Sequence, residues 1–162
     1  MKKLMNKKGF TLVELLAVIV ILAVIILVAM NAVIPQMSKA RKGAFLTEIE
    51  TFVKGAEAYY QAESIKGSAV TGCTSTGGVT ECCIDIDSIK NNYIKKADPN
   101  YIGSIKIKIN ADNTAEYSAY MSNGTYRFAG STADLSEDNI MADTTAAAKD
   151  CSGTTTVNGG QS

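Results

Sequence analysis

The residue with the clearest chemical potential is Glu14, a carboxylate that stands inside an apolar stretch between Val13 and Leu15. A charged side chain at membrane depth costs about 2.5 kcal/mol or more, so such a residue usually has a partner and a function. The alternative is that Glu14 lies at the level of the lipid headgroups, where water solvates it. Its position alone leaves both possibilities open.

The composition excludes several kinds of catalysis. The 162 residues include no His, which removes Ser-His-Asp and Cys-His catalysis and most catalytic zinc sites. Lys and Arg number 16, as do Asp and Glu, and a zero net charge argues against nucleic-acid binding, which needs a basic face. Because the sequence also shows no clustered nucleophile and base, we predict that the protein is not an enzyme and uses no cofactor.

A long apolar run follows Glu14. From Leu15 to Ile34, 19 of 20 residues are apolar and only Asn31 is polar. Such a run is long enough to cross a bilayer core as a helix. A secretory signal peptide is the alternative, but its apolar region would span about 7–15 residues and end at a small-residue cleavage site. This run is longer and leads into Pro35 without an A-x-A pattern, so the sequence favours a membrane anchor.

The residues around Glu14 form a longer motif, Lys7-Lys8-Gly9-Phe10-Thr11-Leu12-Val13-Glu14-Leu15-Leu16, which continues directly into the apolar run. This string resembles the processing site of type IV prepilins and of the related pseudopilins, and the resemblance covers roughly residues 1–60. It implies that a membrane-embedded prepilin peptidase cuts after Gly9 on the cytoplasmic side. Phe10 would then be the new, N-methylated terminus. Glu14 would pair with the terminal amine of a neighbouring subunit, because an isolated charge in a low dielectric is heavily penalised.

The same resemblance implies a function and a location. The chain would be a structural subunit of a type IV pilus, a homopolymer built by an assembly machinery in the membrane and used for adhesion, surface motility or biofilm formation. The precursor would sit in the lipid of the cytoplasmic membrane as a single-pass protein with its N-terminus inside. The assembled pilus would be extracellular. The alternative is a pseudopilin of a type II secretion or competence (DNA-uptake) system.

Beyond Pro35 the apolar residues follow the spacing of an amphipathic helix. Steps of four, three, four and three separate Phe45, Ile49, Phe52, Ala56 and Tyr59. We predict one helix from about Phe10 to Ile65, with Lys66-Gly67 as its C-terminal cap. Pro35 should kink the helix or open it locally near Asn31, unless it only marks where the helix leaves the bilayer.

The sequence thus predicts four segments. Residues 1–9 are a leader peptide, residues 10–34 a hydrophobic transmembrane and assembly helix, and residues 35–66 its amphipathic continuation. Residues 67–162 complete a head domain that comprises residues 35–162.

The clearest strand signals lie between residues 105 and 129. Three isoleucines alternate with two lysines, as in a half-buried strand: Ile105, Lys106, Ile107, Lys108 and Ile109. A turn at 111–113 leads into a second strand at 115–121, and Asn123-Gly124 predicts a two-residue hairpin into a third strand at 125–129.

The remaining segments have weaker signals. We predict a loop at 67–78, a short helix that begins at Asp87-Ser88 and ends near Lys95, and a loop or disordered tail at 144–162. The predicted fold class is α+β, in which the long N-terminal helix packs on a small antiparallel sheet, as the pilin resemblance implies.

Four cysteines lie outside the apolar run, at Cys73, Cys82, Cys83 and Cys151. In an exported domain we expect two disulfides. A bridge between the adjacent Cys82 and Cys83 would be strained, so one of them should pair with Cys151 and the other with Cys73. Free thiols are the alternative.

One acidic stretch resembles a cation site in composition only. Its members are Asp134, Glu137, Asp138 and Asp143. The stretch lacks the spacing of an EF-hand loop, so we predict a solvated acidic loop and no metal site.

Overall fold

The computed structural model describes residues 10–67, 69–90, 93–94, 100–143, 147–149, 151 and 155–157. The chain forms two compact units, Met1–Ala40 and Arg41–Ser162, which are considered separately. The predicted α+β fold is confirmed, because a long N-terminal apolar helix packs against a six-stranded antiparallel sheet.

The helix, α1, extends over Leu12–Ile65. Every residue from Leu12 to Ile65, including Pro35, is helical, so Pro35 does not interrupt the helix, and a kink near Asn31 stays a prediction. In the first unit its large apolar side chains are exposed, from 49% for Val33 to 81% for Leu12. A helix that is apolar on all sides needs an apolar environment on all sides.

In the second unit, α1 buries the face that its spacing predicts. Phe45, Ile49, Phe52 and Ala56 are buried, and Tyr59 packs against them at the edge of the core. Each large apolar side chain contributes about 1.5–3 kcal/mol when it is removed from water. The helix ends at Ile65, as predicted, and is followed by Gly67, whose φ of 74° is a conformation that glycine adopts without strain.

Six strands form the main sheet in the order in which they occur along the chain, and every neighbouring pair is antiparallel. They are β1 (Cys73–Thr76), β2 (Val79–Asp85), β3 (Ile102–Ile109), β4 (Ala115–Ser122), β5 (Tyr126–Ser131) and β6 (Met141–Ala142). A helix, α2 (Ile86–Lys90), follows β2, and two 3-10 turns, Thr132–Asp134 and Glu137–Asn139, join β5 to β6. A separate pair consists of β7 (Ala147–Lys149) and β8 (Thr155–Val157).

The two faces of the sheet differ as the alternation in β3 predicts. Ile105 and Ile107 are buried on the face that packs on α1, together with Ala119 and Met121 of β4. The lysines of β3 lie on the other face, where Lys106 Nζ is 3.0 Å from Glu81 Oε2 and Lys108 Nζ is 3.3 Å from Glu116 Oε2. The sheet therefore has one apolar and one charged face.

The turn between β3 and β4 lies where the sequence places it. Asn113 has a φ of 65°, and Asn110 N donates to Thr114 O at 2.9 Å. The β4–β5 hairpin is shifted by one residue from the prediction. Asn123 N donates to Tyr126 O at 3.1 Å, so Gly124 and Thr125 form the tip, and Asn123 Oδ1 accepts from Tyr126 N at 2.8 Å.

Three of the predicted segments need correction. The loop predicted at 67–78 contains β1, whose polar side chains suit an edge strand that pairs on one side only. The short helix begins at Ile86, because the Asp85 carboxylate accepts from Asp87 N at 2.7 Å, and its helical residues end at Lys90. The predicted loop-like tail contains β7 and β8, which apolar periodicity did not indicate because backbone pairing holds them.

Candidate processing and assembly site

Glu14 lies in the first turn of α1, and its carboxylate is bound by Thr11. Glu14 Oε2 accepts from Thr11 N and from Thr11 Oγ1, both at 2.9 Å. In return, Glu14 N donates to Thr11 Oγ1 at 3.3 Å, and Leu15 N donates to Thr11 O at 3.2 Å. This arrangement is a capping box, in which Thr11 is the N-cap and Glu14 is the third helical residue.

The capping box fixes the carboxylate at the positive end of the helix dipole. Among the described residues, only Thr11 donates hydrogen bonds to the Glu14 carboxylate, and both of these go to Oε2. Oε1 is left for a further donor. The carboxylate is thus oriented by its own helix and still able to bind one cationic group.

The residues next to Glu14 are open to their surroundings. Phe10, the predicted N-terminus of the mature chain, is 88% exposed, and Val13 and Leu15 are 70% and 63% exposed. Gly9, the predicted cleavage site, lies outside the described residues. The first turn of α1 therefore places a charged group within an uncovered apolar surface.

The cysteines form two disulfides, Cys73–Cys82 and Cys83–Cys151. Cys73 and Cys82 lie directly opposite each other in the β1–β2 ladder, so this bridge fastens the edge strand. Adjacent residues of a strand point to opposite faces. Cys82 is therefore buried in the core, whereas Cys83 faces away from it and bonds to Cys151. Of the two pairings left open by the sequence, the structure contains this one.

Cys151 has a second attachment, to the buried Ser104 of β3. Cys151 N donates to Ser104 Oγ at 3.0 Å. The disulfide spans 68 residues of sequence, and β7 lies against β3, β4 and β5. Cys151 and β7 are thus held on the face of the sheet that is opposite α1.

The acidic stretch does not assemble a metal site. Among the described residues, no three His, Cys, Asp or Glu side chains lie close enough together to hold a cation. Asp143 binds the hydroxyl of the buried Ser122, and the backbone oxygen of Glu137 accepts from Lys42 Nζ at 3.1 Å. The first contact holds the residue that follows β6, and the second attaches the β5–β6 connection to α1.

Two residues contribute to these sites without having been predicted, Thr11 and Ser104. The capping role of Thr11 could have been predicted from the sequence, because Thr-x-x-Glu before an apolar run is the pattern of a capping box. No sequence pattern predicts the role of Ser104, because a serine near the start of an isoleucine-rich strand can equally well face water. Its burial and its hydrogen bond with the Cys151 amide are seen only in the folded structure.

Comparison with known proteins identifies a family motif in the N-terminal region. Residues 4–30 match the family model described as the prokaryotic N-terminal methylation motif, which is the type IV prepilin signature. The matched family is a structural one and not an enzyme family. No curated protein and no solved structure matches the chain.

Proposed function

We propose that the chain is a subunit of a type IV pilus, cleaved after Gly9, N-methylated at Phe10 and polymerised through the apolar part of α1. The observation that supports this proposal most strongly is the methylation motif at residues 4–30, with Glu14 inside it at the start of an uncovered apolar helix. The motif implies processing by prepilin peptidase and assembly into a pilus-type polymer.

The exposed part of α1 needs two apolar environments in succession. An 18-residue window of this helix has a mean hydropathy of 3.3 and no buried residues. Soluble monomeric proteins rarely expose so large an apolar surface to water. Lipid of the cytoplasmic membrane would cover it in the precursor, with the N-terminus inside, and copies of the same helix would cover it in the polymer.

Glu14 would give the polymer its register. Cleavage after Gly9 creates an α-amino group at Phe10, and methylation leaves it positively charged. In an apolar shaft the free carboxylate oxygen of Glu14 would bind this amine from a neighbouring copy. Since either charge alone is strongly disfavoured there, the pair rewards correct alignment and penalises the unassembled subunit.

The Arg41–Ser162 unit would be displayed outside the cell. Its two disulfides suit an oxidising location, where a small domain gains stability from cross-links. There the head would make the contacts used in adhesion, surface motility or biofilm formation.

The mature N-terminus tests the processing step. Mass spectrometry of the purified protein should find a chain that begins at N-methylated Phe10. A chain that begins at Met1, or one that is cleaved beyond Asn31, would contradict the proposal.

Electron microscopy tests the use of the polymer. Cells labelled with an antibody against the Arg41–Ser162 unit should show long surface filaments. Short, envelope-bound polymers would instead identify a pseudopilin of a secretion or DNA-uptake system.

A further inference from the structure

Among the described residues, several exposed charges on α1 take part in no ion pair, and two of them differ in sign and in the side of the helix from which they project. In the described part of the chain, Arg41 and Glu50 are exposed and take part in no ion pair. Lys39 and Lys54 of α1 are likewise exposed and in no ion pair among the described residues, whereas two other charged residues of the helix have hydrogen-bond partners. Lys42, next to Arg41, donates to the backbone oxygen of Glu137, and Glu57 on the same helix accepts a hydrogen bond from Gln61.

Arg41 and Glu50 cannot satisfy each other, because the helix holds them apart. They are nine residues distant, which is two and a half turns of an α-helix and about 13.5 Å along its axis. Two and a half turns place the side chains on opposite sides. Arg41 and Glu50 therefore project from opposite sides of α1 at different heights, and Lys54 lies one turn from Glu50 on the same side.

A groove accompanies the anion. Its lining consists of Glu50, Val53 and Lys54 of α1 with Thr132 and Leu135 of the β5–β6 connection. Val53 and Leu135 offer half-buried apolar surface beside the carboxylate. An arginine side chain fits such a groove, because its methylene stem packs on apolar surface while its planar guanidinium binds a carboxylate.

We propose that Arg41 of one copy docks in the Glu50 groove of the next copy, with the two helices parallel and offset by about 13.5 Å. The proposal rests on the proposed polymerisation and specifies a contact within it. A contact between different faces of identical subunits propagates, since each copy still presents the other half of the pair. Lys54, which also lines the groove, is exposed on a long stem and can turn towards solvent.

Charge reversal tests the pairing. Arg41→Glu and Glu50→Arg should each lower the yield of sheared filaments about tenfold, because like charges would then face each other. The double variant R41E/E50R should restore the yield to within about twofold of the parent, since the pair is re-formed with exchanged signs.

The matched control is Asp138→Arg, which reverses an equally exposed carboxylate in a 3-10 turn and should leave the yield unchanged. Near-parental yield for both single variants would overturn the proposal, as would a double variant no better than the worse single one. If the parent itself forms no polymer, the proposed function fails instead.

Cross-linking tests the same contact without relying on yield. A chain carrying Arg41→Cys and Glu50→Cys should give a ladder of covalent oligomers from mildly oxidised filaments, because each copy bonds to two neighbours. Arg41→Cys with Asp138→Cys should give no ladder. Filaments that stay monomeric on a non-reducing gel with the first pair would contradict the docking of Arg41 at Glu50.

Discussion

The N-terminal and C-terminal parts of α1 both carry large apolar side chains, but these are exposed in the first part and buried in the second. Between Leu12 and Met37 the large apolar side chains are exposed, whereas Phe45, Ile49, Phe52 and Ala56 are buried against the sheet. The second part is amphipathic and finds its apolar partner within the chain. The first part is apolar on every side, and no described residue covers it, so it needs partners of another kind. The amphipathic part thus serves folding, and the proposed assembly would use the apolar part of the same helix.

The largest effect that separates the two parts is expected at Glu14. Glu14→Ala should abolish filaments while the unfolding temperature of the Arg41–Ser162 unit stays unchanged, because the carboxylate binds Thr11 in the first turn and, as proposed, a neighbouring subunit. Glu14→Gln should also fail to assemble, since the amide can accept hydrogen bonds but carries no charge. Glu48→Ala is the matched control, and its filaments should resemble those of the parent. Filament counts by electron microscopy give the measurement.

A substitution in the buried part should show the reverse pattern. Phe52→Ala removes a fully buried ring and should lower the free energy of unfolding by about 3–5 kcal/mol. Leu22→Ala, in the exposed part, should leave it unchanged. Denaturant unfolding of the full chain in detergent micelles measures both. Equal losses would show that the two parts of α1 do not have separate roles.

Loss of the Cys83–Cys151 disulfide should destabilise the Arg41–Ser162 unit and leave the apolar part of α1 unaffected. Replacing both cysteines by Ser should cost about 2–4 kcal/mol of unfolding free energy, because the bond closes a loop of 68 residues in the unfolded chain. Hydrogen exchange should also rise at the backbone amide of residue 151, which in the parent donates to Ser104 Oγ. Unchanged protection there would mean that β7 and the Ser104 contact hold the C-terminal region without the bond.

The smallest effect concerns the turn between β3 and β4. Hydrogen bonds from the Thr114 hydroxyl and amide lower the pKa of Asp112, and bonds from Asn110 and Lys108 lower the pKa of Glu116. A lowered pKa in the folded state contributes stability above the unfolded pKa, and this is lost as the pH falls below about 4. The unfolding free energies of the parent and of Asp112→Ala should therefore converge in acid. A gap that stays constant from pH 7 to pH 2 would contradict this pKa assignment.

Patterns within a single element predicted the fold well. The step between Phe45 and Ile49 identified the buried face of α1, and the alternation of Ile105 with Lys106 identified a strand. Contacts between distant residues set the rest. Strand β1 is polar because it lies at an edge, and Cys151 is held by Ser104, 47 residues away. Local pattern carries no information about such contacts.

In the candidate site, too, one part follows from a local sequence pattern and another depends on a distant partner. The Thr-x-x-Glu spacing is local, so a sequence can reveal the capping box, and the methylation motif adds the processing step. The amine that would bind the free oxygen of Glu14 belongs to another copy. The roles of Gly9, Phe10 and Glu14 accordingly stay predictions.

A density map of the polymer is the most direct test of the proposed pairing between Glu14 and the terminus of a neighbouring copy. We predict that Glu14 Oε1 lies about 3 Å from the methylated nitrogen of Phe10 in an adjacent subunit. A map in which the carboxylate contacts only its own Thr11, or faces lipid or solvent, would contradict the account.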